Sequence, residues 1–198
     1  MMGRKKRADL WASVAGGALV EFAMVLPVLL SLAFGLCEAA YQGYMQAVLT
    51  GSVQKAGRDS TIEGATTASI DTNVLNAMRN INAQATFANG YPLRKSYASL
   101  GYISPEPFTD TNGNGVREAG ECFTDVNGNS QWDVDPGVAG NGNAGDSVVY
   151  TVSITYPRLF PLAQWLGWGR TATITASTVL KNQPWSGQTT AAATSVCT

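Results

Sequence analysis

One apolar segment limits what this chain can fold into more than any other feature. Between Gly17 and Leu36 the only ionisable side chain is Glu21, and the only helix breaker is Pro27. The run is close to the roughly 20 residues that cross a bilayer as a helix, and proline is tolerated in such helices. A carboxylate at membrane depth is costly and is usually functional. The segment therefore predicts a membrane-embedded helix in which Glu21 has a specific role.

The charges around this segment predict its orientation and exclude several functions. A basic leader over residues 1–16 precedes it, with Asp9 as its one acid. Basic residues before a span hold that end in the cytoplasm, so we expect the rest of the chain outside. A net charge of −1 gives no global basic field for nucleic acid. The absence of histidine removes the commonest general base and most catalytic zinc sites. No acid–base pair, nucleophile elbow or phosphate loop is present either, so we expect no enzyme.

Periodicity in the remaining sequence predicts an α+β fold. The N-terminal helix continues as an amphipathic helix to about Ala56, with Gly57 as its stop, which gives one helix over residues 17–57. An exported domain follows over residues 58–185, and a small polar tail over 186–198. Strict alternation predicts two strands, Ser147–Tyr156 and Thr171–Leu180, that pair antiparallel with one face toward the helices.

A second helix is predicted between the first helix and the strands. Ser69 or Asp71 can cap its start, and the turn at residues 89–92 ends it. Its apolar stripe comprises Ile70, Val74, Met78, Ile81, Ala85 and Ala88. The aromatic connector at residues 157–168 lies either at a membrane or partner interface or as a buried lid.

An acidic, Asn- and Gly-rich insert occupies residues 104–146. It holds eight acids and one base, Arg117, so we expect no apolar core in it, and it is either organised by a metal or disordered. Residues 110–121 satisfy the twelve-position calcium loop, with Gly115 at the turn. The predicted ligands are Asp110, Asn112, Asn114, the carbonyl of Val116, Glu118 and Glu121.

A second, degenerate copy of the calcium loop follows the first. It supplies Asp125, Asn127, Asn129, Asp133 and Asp135, but has Ser130 at the glycine position and Pro136 at position 12. Calcium of the weak, extracellular type is the cofactor that this pattern predicts. The alternative is a run of Asx and Asn-Gly turns without an ion.

Three cysteines are present. Cys37 lies at the end of the apolar span. Cys122 and Cys197 lie in the exported part, where an oxidising compartment permits a disulfide. Because spacing alone does not show proximity, a Cys122–Cys197 bond and two free thiols both stay open.

The start of the apolar segment resembles a known processing signal. Gly16 is followed by Gly17-Ala18-Leu19-Val20-Glu21-Phe22, as in the class III signals of type IV pilin-like proteins. The resemblance implies cleavage by a prepilin peptidase between Gly16 and Gly17. In a filament of packed helices Glu21 can neutralise the new Gly17 ammonium of a neighbour, which sets the register. The alternative is an uncleaved signal anchor with Glu21 near the interface.

Three stretches together resemble the TadE/TadG-like family of the tight-adherence (Flp) pilus system. These are residues 21–30, 156–162 and 175–185, although Gln183 stands where the family has glutamate in an Asn-Glu-Pro ending. The resemblance implies a minor pseudopilin or assembly component, and not an enzyme. It implies a single-pass inner-membrane protein with a periplasmic C-terminal domain, or a subunit of the extracellular pilus, whose partners are the prepilin peptidase and other pilin or pseudopilin subunits. The alternative is an uncleaved, membrane-anchored periplasmic scaffold or calcium-dependent binding module.

Overall fold

The structure is a computed structural model that describes residues 17–60, 66–160, 164, 167, 169–182 and 193–197. The predicted α+β fold is confirmed. The chain divides into two compact units, one of residues 1–43 with 158–170 and the other of residues 44–157 with 171–198. The helices are α1 (Gly17–Asp59) and α2 (Thr67–Arg79), with a short 3₁₀ helix at Leu100–Tyr102; the strands are β1 (Thr86–Phe87), β2 (Leu93–Tyr97), β3 (Cys122–Asp125), β4 (Val138–Ala139), β5 (Ser147–Pro157), β6 (Thr171–Lys181) and β7 (Thr194–Cys197).

Helix α1 begins where the sequence predicts and is apolar enough to cross a membrane. Its most apolar 18-residue window has a mean hydropathy of 2.2, and none of that window is buried. The prediction that Gly57 ends the helix is wrong, because α1 continues to Asp59. A Cβ on Gly57 would lie 2.8 Å from Cδ2 of Leu180. The glycine therefore allows a close approach to β6 within a continuing helix.

In the first unit, a buried carboxylate of α1 holds the start of the connector. Glu38 is 7% exposed. It accepts a hydrogen bond from the guanidinium of Arg158 at 3.4 Å and another from the backbone N–H of Leu159 at 3.1 Å. The rings of Phe34 and Phe160 also lie 4.8 Å apart. Residues 158–160 thus make polar and aromatic contacts with α1.

In the second unit, β5 is the central strand of a five-stranded sheet. It pairs antiparallel with β6 along its whole length, from Ser147 opposite Lys181 to Pro157 opposite Thr171. This confirms the two predicted strands, each one residue longer than expected. On its other edge β5 pairs with β1 and β2, and β4 extends the sheet beyond β2. Alternation places one face in the core, namely Val148, Tyr150, Val152, Ile154, Tyr156, Ala172, Ile174 and Ala176.

The helices complete this core with residues at helical spacing. Met45, Leu49 and Val53 of α1 are fully buried. In α2 the predicted stripe supplies Ile70, Val74 and Met78. These helix positions and the buried face of the sheet therefore form the core of the second unit.

The predicted boundaries of α2 are wrong at both ends. The N-cap is Thr66, whose extended backbone lets its hydroxyl accept the N–H of Ser69. Asp71 instead accepts hydrogen bonds from Arg94 and from the hydroxyl of Tyr150, both at 2.6 Å. The helix ends at Arg79, and the last three residues of the predicted stripe, Ile81, Ala85 and Ala88, lie in the following turns and beside β1.

Candidate functional site

A short strand pair organises the acidic insert into two loops. Phe108 forms an antiparallel bridge with Phe123 of β3. The N–H of Thr109 donates to the carbonyl of Cys122, and that of Thr124 to the carbonyl of Pro107, both at 2.8 Å. In this register residues 106–110 run against residues 121–125. One loop, residues 110–121, connects the two segments, and the other, residues 125–136, follows the second segment.

The expectation that the insert has no apolar core is wrong, because a small apolar cluster lies within it. Phe123 is 2% exposed and Val126 is 7% exposed. Phe108 and Trp132 meet edge to face at a centroid distance of 6.0 Å. A few aromatic side chains bury enough apolar surface here to pack an otherwise acidic segment.

The first loop is closed at both ends by a carboxylate that binds backbone N–H groups. Asp110 accepts from Gly113 with one oxygen and from Gly115 with the other, both at 2.7 Å. Glu121 accepts from Thr111 at 2.8 Å and from Glu118 at 3.0 Å. Gly115 has φ +76°, a left-handed conformation that glycine adopts without steric cost.

The remaining predicted ligands surround the same loop. The side-chain amides of Asn112 and Asn114 donate to the carboxylate of Glu118 at 2.9 and 3.1 Å. The amide oxygen of Asn114 accepts the N–H of Val116 at 2.7 Å. All six residues that are predicted to supply oxygen ligands in the first calcium loop therefore lie in this one closed loop, residues 110–121.

Hydrogen bonding keeps the closing carboxylates ionised. The N–H of Gly115, with smaller contributions from the neighbouring N–H groups, lowers the pKa of Asp110. The N–H groups of Thr111 and Glu118 lower the pKa of Glu121. At Asp125 burial alone would raise the pKa, but the N–H groups of the second loop outweigh it and the pKa is lowered. All three are anions at neutral pH.

The second loop repeats the geometry of the first. Asp125 accepts from Gly128 and from Ser130, both at 2.7 Å. Ser130 has φ +60°, so it takes the conformation that Gly115 has in the first loop. The amides of Asn127 and Asn129 donate to Asp133 at 2.8 and 2.6 Å. The substitution of glycine by serine therefore leaves the loop intact.

Calcium binding stays a prediction. Within the part of the chain that the structure describes, no three or more His, Cys, Asp or Glu side chains form a group that can hold a metal ion. The loop carboxylates instead accept hydrogen bonds from N–H groups of their own segment. Much of the predicted ligand set consists of amide and carbonyl oxygens, which Ca²⁺ also accepts.

The N-terminal candidate site lies on α1. Gly17 is the first described residue of the helix, and Glu21 lies one turn further on, exposed, with Phe22 59% exposed beside it. In the described residues Glu21 is in none of the ion pairs. Gly16 and the basic leader lie outside the described residues.

The same segment is the part of the chain that is similar to a known family. Residues 16–58 match the family of TadE-like proteins. The match contains Glu21 and almost all of α1, and it supports a component associated with the tight-adherence pilus. No curated protein and no solved structure matches the chain.

Both loops lie outside the TadE-like match. The structure joins Cys122 and Cys197 in a disulfide that links β3 to β7, with the two residues opposite each other in the strand register. Cys37, on the TadE-like helix, is free and exposed. The disulfide therefore ties the strand between the two loops to β7.

Sequence reasoning missed one residue of the site, Glu106. Its side chain is 1% exposed and reaches the second loop. The signal was a repeat of Glu-x-Phe-Thr-Asp, which occurs at residues 106–110 and again at 121–125. In this repeat Glu106 corresponds to Glu121, the residue that closes the first loop.

Proposed function

We propose that this protein is a minor pseudopilin or assembly component of a tight-adherence pilus. The observation that carries the proposal is the TadE-like match over residues 16–58, which coincides with an exposed apolar helix bearing Glu21 in its second turn. In this function a prepilin peptidase cuts between Gly16 and Gly17. The partners are the inner membrane, the peptidase and other pilin or pseudopilin subunits.

The exposed surface of α1 supports this function. Leu19 is 72% exposed, Met24 74% and Val28 67%, which is suited to lipid before assembly and to neighbouring helices after it. Once the helix leaves water, an unpaired carboxylate is strongly unfavourable. The Gly17 ammonium of a neighbouring subunit supplies the missing counter-charge to Glu21 and selects one stagger between helices.

The N-terminus of the mature protein tests the processing step. Mass spectrometry of the protein from membranes and from sheared pili is expected to give Gly17 as the first residue. A protein that keeps Met1 would contradict the proposal and favour an uncleaved periplasmic anchor.

The pairing of Glu21 is tested separately. Glu21→Ala is expected to leave cleavage largely intact and to abolish incorporation into pili, because the buried ammonium then has no partner. Ser31→Ala on the same helix is the matched control and is expected to assemble. Normal pili from the Glu21 variant would refute the pairing.

A second candidate function, a calcium-dependent binding module, is favoured by the closed loop at residues 110–121. In this function Asp110, Asn112, Asn114, Glu118 and Glu121, with the carbonyl of Val116, supply hard oxygen ligands to Ca²⁺. Isothermal titration calorimetry of the full chain with calcium chloride tests it. Saturable heat that is lost in Asp110→Ala supports binding, and no heat at millimolar calcium refutes it.

A further inference from the structure

The connector between β5 and β6 is attached to α1 at two neighbouring positions of the helix. Glu38 of α1 is 7% exposed and accepts hydrogen bonds from the guanidinium of Arg158 and from the N–H of Leu159. About one turn earlier on α1, the ring of Phe34 lies 4.8 Å from the ring of Phe160. The position of the connector along the helix is therefore set by Phe34 and Glu38.

Arg158 also joins the two ends of this connector. Its backbone N–H donates to the carbonyl of Arg170 at 3.0 Å, and its Nε donates to the carbonyl of Gly169 at 3.1 Å. The same guanidinium donates to Glu38 at 3.4 Å. Because one side chain contacts α1 and both ends of the connector, residues 158–160 and 169–170 form a single base on the helix, which we call the loop base.

The length of α1 places the loop base at the edge of a bilayer. The apolar span begins at Gly17, the first described residue of the helix. At a rise of roughly 1.5 Å per residue, Phe34 lies about 26 Å along the helix from Gly17, and Glu38 lies about 32 Å along it. The hydrocarbon core of a bilayer is about 30 Å thick. The loop base is therefore attached where the helix leaves the hydrocarbon.

The exposure of the side chains agrees with this level. From Gly17 to Leu36 every residue of α1 except Leu26 and Phe34 is exposed, so this part of the helix is open to lipid. Leu159, whose N–H binds Glu38, is itself 49% exposed. An exposed leucine at the end of a lipid-facing span continues the apolar surface of that span.

The charges of the loop base suit a phospholipid surface. A carboxylate at the edge of the hydrocarbon is unfavourable unless it is paired, and Arg158 supplies the counter-charge to Glu38. Arg170 is exposed and is in none of the ion pairs of the described residues. Arginine binds phosphate oxygens well, and basic residues beside a span are attracted to anionic lipids. The one uncompensated charge of the loop base thus has the sign that lipid phosphates attract.

We propose that the loop base is a membrane-surface contact, in which Leu159 lies at the boundary of the acyl chains and Arg170 binds a lipid phosphate. The inference rests on the membrane crossing of α1 in the proposed function. It adds a second contact with the same bilayer, at the end of the span that is opposite to Gly17. The contact holds the start of β6 at the membrane surface.

Spin labels on the full chain in vesicles of phosphatidylcholine and phosphatidylglycerol test the proposal. In a Cys37→Ser background, a nitroxide on Leu159→Cys is compared with one on Leu32→Cys in the span and one on Leu100→Cys in the 3₁₀ helix, where the native leucines are 63% and 64% exposed. Collisions with oxygen, which concentrates in lipid, and with a water-soluble nickel complex give the depth of each label. The label at residue 159 is expected at a depth of about 5–10 Å, between a deeper label at residue 32 and a water-exposed label at residue 100.

A charge reversal tests the phosphate contact. Arg170→Glu is expected to move the label at residue 159 toward water in the same vesicles. Lys181→Glu makes the same change of charge at an exposed residue at the far end of β6, and is expected to leave the depth unchanged. An unchanged depth in Arg170→Glu would overturn the phosphate contact.

The outcomes separate this inference from the proposed function. A label at residue 159 that is as exposed to water as the one at residue 100, while the label at residue 32 is in lipid, would overturn the loop contact and leave the membrane crossing standing. A label at residue 159 that meets neither oxygen nor nickel would indicate a buried lid and would also overturn the contact. A label at residue 32 that is in water would overturn the membrane crossing and both proposals with it.

Discussion

The Cys122–Cys197 disulfide gives the largest stability effect that the structure lets us work out. Its cysteines are 75 residues apart in sequence. The chain-entropy relation for a loop of this length gives about 4.5 kcal/mol at 25 °C, close to the top of the usual range of about 2–5 kcal/mol. The four residues of β7 are mostly exposed and bury little surface of their own. We therefore expect Cys122→Ser/Cys197→Ser to lose about 4 kcal/mol of unfolding free energy.

Urea unfolding of the full chain in detergent, followed by circular dichroism and tryptophan fluorescence, measures this loss. Because the bond acts mainly on the unfolded chain, its removal is also expected to raise the slope of free energy against urea. Cys37→Ser is the matched control. Cys37 is exposed and free, so its replacement is expected to change stability by less than about 0.5 kcal/mol.

Two results would refute this reasoning. A loss below about 1 kcal/mol would mean that the bond does not constrain the unfolded chain. A loss of the expected size with an unchanged slope would place the effect in the native state.

Two further predictions concern carboxylates. Glu38→Ala removes the acceptor of the Leu159 N–H, a charge-assisted hydrogen bond of about 1.5–3 kcal/mol, so hydrogen exchange at Leu159 is expected to speed up tenfold or more. Glu21→Ala is the control and is expected to leave this exchange unchanged. Unaltered exchange in the Glu38 variant would contradict the prediction. Folding lowers the pKa values of Asp110 and Glu121 from their ordinary values of 3.8 and 4.5. The stability that these two carboxylates give the folded protein is therefore complete above their ordinary pKa values and is lost as the pH falls through the lowered ones. Relative to the intrinsic exchange rate at each pH, the protection of the amides within residues 110–121 is therefore expected to fall in acid, and an equal fall in Asp110→Asn/Glu121→Gln would argue against this cause.

Long periodic elements could be predicted from the sequence because their signal is local. The alternation in β5 and β6 and the apolar run of α1 each extend over eleven residues or more, and each appears in the structure within about three residues of its expected bounds. The end of α2 could not be predicted in this way. Ala85 continues the helical spacing but is buried in a turn before β1. A buried apolar residue that follows the helix therefore has the same spacing as one that lies on its apolar face.

The short strands and the second loop depended on information from distant residues. Strands β1 and β4 have two residues each, too few to show a period, and their places are set by pairing with β5 and β2. The first loop was predictable because all its oxygen donors follow one another in sequence. The second loop was incomplete in sequence because Glu106 reaches it across the strand pair.

The disulfide between β3 and β7 also decides which parts of the chain can bear a load. A pull between α1 and Cys197 runs along the backbone as far as Cys122 and then crosses the sulfur bridge. The covalent path therefore bypasses residues 123–196, which include β5, β6 and the second loop. The first loop, residues 110–121, stays in that path. Two loops with nearly the same hydrogen bonds are thus mechanically unequal: the first must resist extension, and the second is shielded from it.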